Sequence, residues 1–470
     1  MKTERRKSFI KKAAAFALLL IMAINVFASD VEEKESGKKV KVDQEKMEWF
    51  ADAKLGIFIH YGIYAVYGIS ESWSFYNNEI SYDDYMKQLD GFTASKYDPQ
   101  QWAKLFKEAG ARYAVLTSKH HDGVALWDTK QSDLSVVKKT PAKRDLISPY
   151  AKALRDHDLK VGIYFSHLDW SHPSYASVHN GPNRASNNTN PFDYPQTDEA
   201  DLERWEDFLK FHRAQLKEVD ELIRPDLWWF DGDWSRTAEQ WRMSEVREML
   251  LSSNPKTILN SRMSGYGDYA TPEQGVPIHG PEGPWELCMT INDSWGYQVD
   301  DNNQKSVNYI IRTFSDCISM GGNLLLDVGP KEDGTITHEQ TEVLKQLGRW
   351  TKKHEEAIYG SVRGLPFGHF YGPTTLSKDK KTLYCFFLDI PKDDVVIKGI
   401  KNKVKQIRLV GTDKTLSFER NGGAAWHGIP GVLQVELKPE MLDKNVTVIA
   451  IDLDSALDLY RGHGGAIEAN

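Results

Sequence analysis

The chain has 470 residues, a formal net charge of −8, and 14 Trp and 20 Tyr among its aromatic residues. That length exceeds one ordinary domain and suits a barrel of roughly 250–350 residues followed by a smaller module. The mild acidity and the lack of a basic stripe argue against a nucleic-acid partner, and Cys288, Cys317 and Cys385 offer neither a complete disulfide framework nor a metal-type spacing.

The N-terminus reads as a targeting segment. Lys2, Arg5, Arg6, Lys7, Lys11 and Lys12 flank or precede a short apolar run at 13–24, and Val26-Phe27-Ala28 suits cleavage after Ala28. The run is short for a spanning helix. Residues 1–28 are therefore expected to be a signal peptide of an exported protein, periplasmic or secreted, with no membrane association after cleavage. The charged, polar stretch 29–45 reads as a linker.

From residue 46 the pattern alternates. Leu55-Gly56-Ile57-Phe58-Ile59-His60 is a strand ending in a histidine. Asp98 and Pro99 open a helix with Trp102, Leu105, Phe106 and Ala109 on one face, and Gly110 closes it. A strand over 113–121 ends in His120-His121, a helix covers 150–159, and a strand covers 160–166. A Ser/Asn/Pro-rich loop near 171–198 is long enough to be a rim feature. The helix 199–223 leads into Leu227-Trp228-Trp229-Phe230-Asp231, an apolar strand that ends in a carboxylate. A helix at 245–252, a strand at 257–262, a loop at 263–284, a strand at 285–289, a helix at 307–320, a strand at 323–328 and a helix at 339–354 complete the series.

Strands alternating with helices predict an α/β fold with a parallel sheet. His60, His120, His121, Asp231 and Arg262 all fall at C-terminal strand ends, which favours a (β/α)8-like barrel with one rim-facing site. No Gly-rich phosphate fingerprint supports the doubly wound alternative. Past residue 358 the texture changes to short apolar runs between turn residues, predicting a C-terminal antiparallel β-sandwich over 359–456 and a loose tail over 457–470.

The chemistry-bearing residues narrow the function. A carboxylate packed among indoles suits sugar chemistry: aromatic faces take the apolar side of a pyranose while the carboxylate meets the anomeric carbon. The bland alternative for Asp231 is a turn cap. Adjacent strand residues point to opposite faces, so His120 and His121 reach one ion only if the strand breaks there. No further ligands stand at useful spacing, and hydrogen bonding to sugar hydroxyls is the preferred reading; no cofactor is implied. Acyl transfer lacks a nucleophile elbow. A paired-carboxylate mechanism needs a second carboxyl group. Glu286, between Trp285 and Leu287, has the apolar setting that raises a pKa, and Glu273 is the rival acid/base; Asp233 competes with Asp231 for the nucleophile role.

The ordered set Gly56-Ile57-Phe58-Ile59-His60-Tyr61-Gly62, Ser118-Lys119-His120-His121-Asp122-Gly123, Trp229-Phe230-Asp231-Gly232, Trp285-Glu286-Leu287-Cys288, Ser294-Trp295-Gly296-Tyr297 and Gly321-Gly322-Asn323-Leu324-Leu325-Leu326-Asp327-Val328-Gly329-Pro330 resembles the α-L-fucosidases of glycoside hydrolase family 29. The resemblance covers about 50–358. It implies a metal-independent retaining exo-hydrolase acting on a fucosylated oligosaccharide or glycoconjugate. It places the nucleophile on Asp231 and fucose contacts on His60, Trp73, His120, His121, Tyr164, Trp229, Arg262 and Trp295, with Phe165 able to take the place of Tyr164. It leaves Glu286 and Glu273 both open as acid/base. A catalytically inactive fucose-binding protein and a retaining glycosidase for a related sugar are the alternatives.

Overall fold

The computed structural model describes residue 40 and residues 42–175, 199–391 and 393–462. The expected signal peptide, most of the expected linker and most of the Ser/Asn/Pro-rich loop lie outside these residues. Seven parallel strands organise the first domain: β1 (Leu55–Ile59), β2 (Tyr113–Lys119), β3 (Lys160–Ser166), β4 (Leu227–Asp231), β5 (Ile258–Leu259), β6 (Glu286–Thr290) and β7 (Asn323–Val328). Their order is β5-β4-β3-β2-β1-β7-β6, so the last strands return to pair with the first and the sheet curls into a barrel.

The remaining gap, between β5 and β6, is bridged within the expected 263–284 loop. Tyr269 pairs with Asn260, Ala270 with Trp285 and Glu273 with Cys288, all in parallel. This stretch acts as the eighth stave. It makes isolated bridges rather than a regular ladder, and Pro272 supplies no N–H. That is why no apolar alternation marks it in the sequence.

The strands are apolar on both faces because one lines the barrel interior and the other meets the helices. Phe58, Tyr113, Val115, Tyr164, Leu227, Trp229, Ile258, Tyr269, Cys288 and Leu325 fill the interior with Met47, Phe50 and Ala53 of the helix Gln44–Ala53. Asn323, opening β7, donates to the Phe50 carbonyl at 2.8 Å, which seats that helix under the N-terminal strand ends. Asp43 caps it by accepting from Glu45 N, so this helix starts inside the stretch expected to be linker. The helix Pro99–Ala109 starts and stops where its residues predict: Asp98 accepts from Gln101 N, and Gly110 turns the chain at φ +97°.

The C-terminal domain has two antiparallel sheets. One joins β8 (Val362–Arg363), β9 (Thr374–Leu376), β10 (Thr382–Phe387), β12 (Val404–Leu409) and β15 (Thr447–Leu453); the other joins β11 (Val395–Ile397), β13 (Phe418–Asn421) and β14 (Val432–Val435). Alternation divides the larger sheet. Leu383, Cys385, Ile449 and Ile451 face the sandwich core, while Tyr384, Phe386, Val448 and Ala450 join the core of the barrel domain. The tail expected to be loose from 457 is held through its first residues. Leu457 and Leu459 are apolar and pack on the sandwich, and Leu459 bridges to Ile400. The three cysteines are buried and free, and among the described residues no helix is long and apolar enough to cross a membrane.

Candidate active site

The C-terminal ends of the staves bring the polar residues together. Asp231 closes β4, and its two oxygens have different partners. Oδ1 accepts from Arg262 at 2.6 Å, and Oδ2 accepts from the Tyr164 hydroxyl at 3.0 Å. The Arg262 guanidinium lies 4.7 Å over the Trp229 ring, a cation stacked on the floor of the site. Tyr164 also stacks on that floor, 5.7 Å from Trp229. Phe165 points the other way, packing on Trp127 and His212, so Tyr164 holds the site position. Asp233 turns aside and accepts from Ser264 N and Oγ at 2.8 and 2.9 Å.

Three histidines line the same rim, each held through Nδ1. His60 Nδ1 pairs with Asp327 at 2.6 Å, His120 Nδ1 with Ser72, and His121 Nδ1 with Ser166 at 2.7 Å. The Ser166 hydroxyl gives its own proton to the Leu168 carbonyl at 2.8 Å, so it accepts from His121 Nδ1–H. That assigns the tautomer: His121 Nε2 carries a lone pair. It is buried without a hydrogen-bond partner, 3.6 Å from Asp231 Oδ2. Burial pushes the pKa of all three rings well below the usual histidine value, so they are neutral near pH 7. His120 and His121 share one site because β2 ends at Lys119 and its register against β3 slips between Thr117 and Lys119; the two rings lie 4.2 Å apart. Among the described residues no group of three or more His, Cys, Asp or Glu is disposed to hold a metal ion.

Indoles wall the site. Trp295 sits 5.0 Å from His60, and Trp73 stands edge-on to His121 at 5.4 Å. Behind them is a buried carboxyl group that the sequence reading missed. Glu71 accepts from Gly296 N, tying the Trp73 segment to the Trp295 segment. Gly296 is required there, because a Cβ would lie 2.9 Å from Glu71 Oε1 and 2.6 Å from the Tyr64 ring. Asp327, Ser72 and Ser166 were missed too. Asp327 had a signal of the same kind as Asp231: a carboxylate inside the apolar run of a buried strand.

The two candidate acids are far apart in setting. Glu273, at the upper end of its stave, accepts from the second Arg262 nitrogen at 2.5 Å, and its side chain is 41% exposed. Glu286 opens β6 at the lower end of the barrel and is 0% exposed. Its oxygens accept from Trp229 Nε1 at 3.1 Å and from the Tyr113 hydroxyl. Burial raises its pKa to about 7, with the bonds from Tyr113 and Trp229 opposing the rise. The apolar setting expected from Trp285 and Leu287 is present, but it seals Glu286 beneath Trp229, away from Asp231. The structure brings Asp231, Arg262 and Glu273 together and leaves Glu286 apart.

A family model described as alpha-L-fucosidase matches residues 22–356. The chain is 29% identical to the tissue alpha-L-fucosidase of Rattus norvegicus over 426 residues, covering 82% of this chain and 86% of that protein. Among solved structures, alpha-L-fucosidase isoenzyme 1 from Paenibacillus thiaminolyticus is 31% identical, with a TM-score of 0.78, covering 88% of this chain and 99% of that one. A family 29 alpha-L-fucosidase from Bacteroides thetaiotaomicron is 25% identical with a TM-score of 0.77, covering 89% and 98%; it is a trapped covalent intermediate with 2-fluoro-fucosyl fluoride, obtained with a Glu-to-Gln mutant.

Proposed function

This chain belongs to the alpha-L-fucosidase family of glycoside hydrolases, and from that premise we propose that it removes terminal α-L-fucose from glycans by double displacement, with Asp231 as nucleophile and Glu273 as acid/base. The observation that carries the assignment is the shared guanidinium. Arg262 gives one nitrogen to Asp231 and the other to Glu273. Retention needs two carboxyl groups about 5 Å apart, close enough to share one guanidinium, whereas inversion needs a wider spacing that leaves room for a water.

In the first step an Asp231 oxygen attacks the anomeric carbon as the bond to the leaving oxygen breaks, and that oxygen takes the Glu273 proton. The product is a β-fucosyl ester. In the second step Glu273 takes a proton from water, the hydroxide oxygen attacks the same carbon, and Asp231 leaves, giving α-L-fucose. Arg262 and Tyr164 each hold one Asp231 oxygen and fix the attacking geometry. The free Nε2 atoms of His60, His120 and His121 meet sugar hydroxyls, while Trp73, Trp229 and Trp295 enclose the ring. Glu286 stays out of the chemistry because no substrate oxygen reaches below Trp229. An inactive fucose-binding protein has no need of two carboxylates on one cation. The basic and apolar pattern of 1–28 supports export before the enzyme acts, and N-terminal sequencing of the mature protein, expected to begin at Ser29, checks it.

Labelling with 2-fluoro-α-L-fucosyl fluoride tests the nucleophile. The protein should gain one fluorofucosyl mass, and peptide mapping should locate it on Asp231. A label on Asp233, or none under conditions where the fluoride is consumed, would overturn the assignment.

A further inference from the structure

Exposure rises in order from the floor of the site to its mouth. Trp229 and Tyr164 are buried, Trp73 is half-buried, and Trp234 is 55% exposed. Its exposure alone says little, since single exposed aromatics such as Trp426 occur elsewhere, but here the open indole continues the aromatic wall of the site. Its position is fixed by the chemistry beside it. Trp234 lies three residues after Asp231, on the far side of Gly232, whose left-handed φ of +87° turns the chain out of the strand. Its ring stands edge-on to His121 at 6.0 Å and lies nearly parallel to Trp73, 6.4 Å away at 21°.

The exposure is not slackness, because four bonds pin the turn that carries this indole. The Asp233 carboxylate accepts from Ser264 N and Oγ, the Asp233 carbonyl accepts from Trp241 Nε1 at 3.1 Å, and Ser235 Oγ pairs with the Tyr175 hydroxyl at 3.2 Å. A rigid aromatic face held at the mouth costs little ordering when a ligand settles on it.

We propose that Trp234 is the platform of a leaving-group subsite, and that this subsite takes a sugar ring with an apolar C–H face. The inference rests on the reading of Asp231 and Glu273 as the glycosidic centre. An exo-hydrolase encloses the terminal fucose, so whatever is bonded to the anomeric oxygen emerges at the mouth, where Trp234 offers an exposed aromatic surface. A pyranose laid on the indole sets the angle at which the leaving oxygen is presented. Trp234 then favours glycosyl leaving groups over small ones.

The test compares wild type, Trp234→Ala and Trp234→Phe on two kinds of substrate. α-L-Fucosyl fluoride has no leaving-group ring; linkage-defined fucosyl disaccharides do. Trp234→Ala should lose at least about tenfold more kcat/KM on the best disaccharide than on the fluoride, mostly through KM, and Trp234→Phe should recover most of it; tenfold is the scale of one good aromatic contact. Equal losses on both substrates, or no loss on either, overturn the subsite while leaving the catalytic reading intact. Wild type that leaves the fluoride and every disaccharide unhydrolysed fails that reading first, and the subsite with it.

Discussion

Trp229 divides the barrel interior into two regions, each with a carboxyl group close to an indole. Below it, Glu286 is fully enclosed and holds the bonds of Trp229 and Tyr113. Above it, Asp231 and Glu273 share Arg262 at the open rim. The lower group has the raised pKa usually sought in a general acid, and the upper pair has the geometry. Desolvation alone does not make a proton donor, because the group must also lie within hydrogen-bond reach of a substrate. In the lower layer the same desolvation builds a packed, satisfied interior.

The largest expected effect breaks the upper region. Asp231→Gly should fold and lose about 10⁴-fold or more in kcat, because no group remains to form the covalent ester. Azide should restore part of the turnover and yield β-L-fucosyl azide, the product of one inversion. Recovery of only the α-azide would remove Asp231 from the nucleophile role.

A middle-sized effect sharpens the rim. Ser166→Ala frees His121 to adopt either tautomer, and one hydrogen bond of roughly 1 kcal/mol is at stake, so kcat/KM should fall by about tenfold or less. Nitrogen-15 NMR of the imidazole should show protonated Nδ1 in the wild type and a tautomer mixture in the variant. Protonated Nε2 in the wild type would contradict the assignment.

The smallest catalytic effect belongs to the lower region. Glu286→Gln should keep activity within about threefold, because Gln can still accept from Trp229. Its signature is in stability. The folded pKa is raised from 4.5 to about 7, so the wild-type contribution is fully present below about pH 4.5 and lost as pH rises through 7. Relative to wild type, Glu286→Gln should therefore gain Tm above pH 7, by up to about 3 kcal/mol in stability, and gain little at pH 4.5. Equal Tm differences at both ends of the range would show that the folded pKa of Glu286 is not raised above its unfolded value.

The strand ends were legible because a buried parallel strand is apolar until it leaves the core, so Asp231, His60 and His120 announce themselves. The tautomer partners Ser72 and Ser166 were not legible, since a serine beside a strand end carries no periodic signal. The stave ending at Glu273 was hidden for a related reason: its pairing is a set of single bridges around Pro272. Without the stave, Glu273 reads as a solvated loop charge, while the apolar neighbours of Glu286 do not tell that its carboxyl lies beneath Trp229. Local sequence reports desolvation well, but it does not report which end of a barrel a residue occupies.

Leaving-group dependence separates Glu273 from Glu286 as the proton donor. Glu273→Ala and Glu286→Ala are each assayed on an aryl fucoside that needs no protonation and on a fucosyl sugar that does. Glu273→Ala should lose about 10²–10⁴-fold on the fucosyl sugar and far less in the fucosylation step of the aryl substrate. Azide should intercept its persistent ester and give α-L-fucosyl azide by a second inversion. Glu286→Ala should show no such split between substrates. A leaving-group split and α-azide formation in Glu286→Ala, with neither in Glu273→Ala, would contradict the account and place the proton donor beneath Trp229.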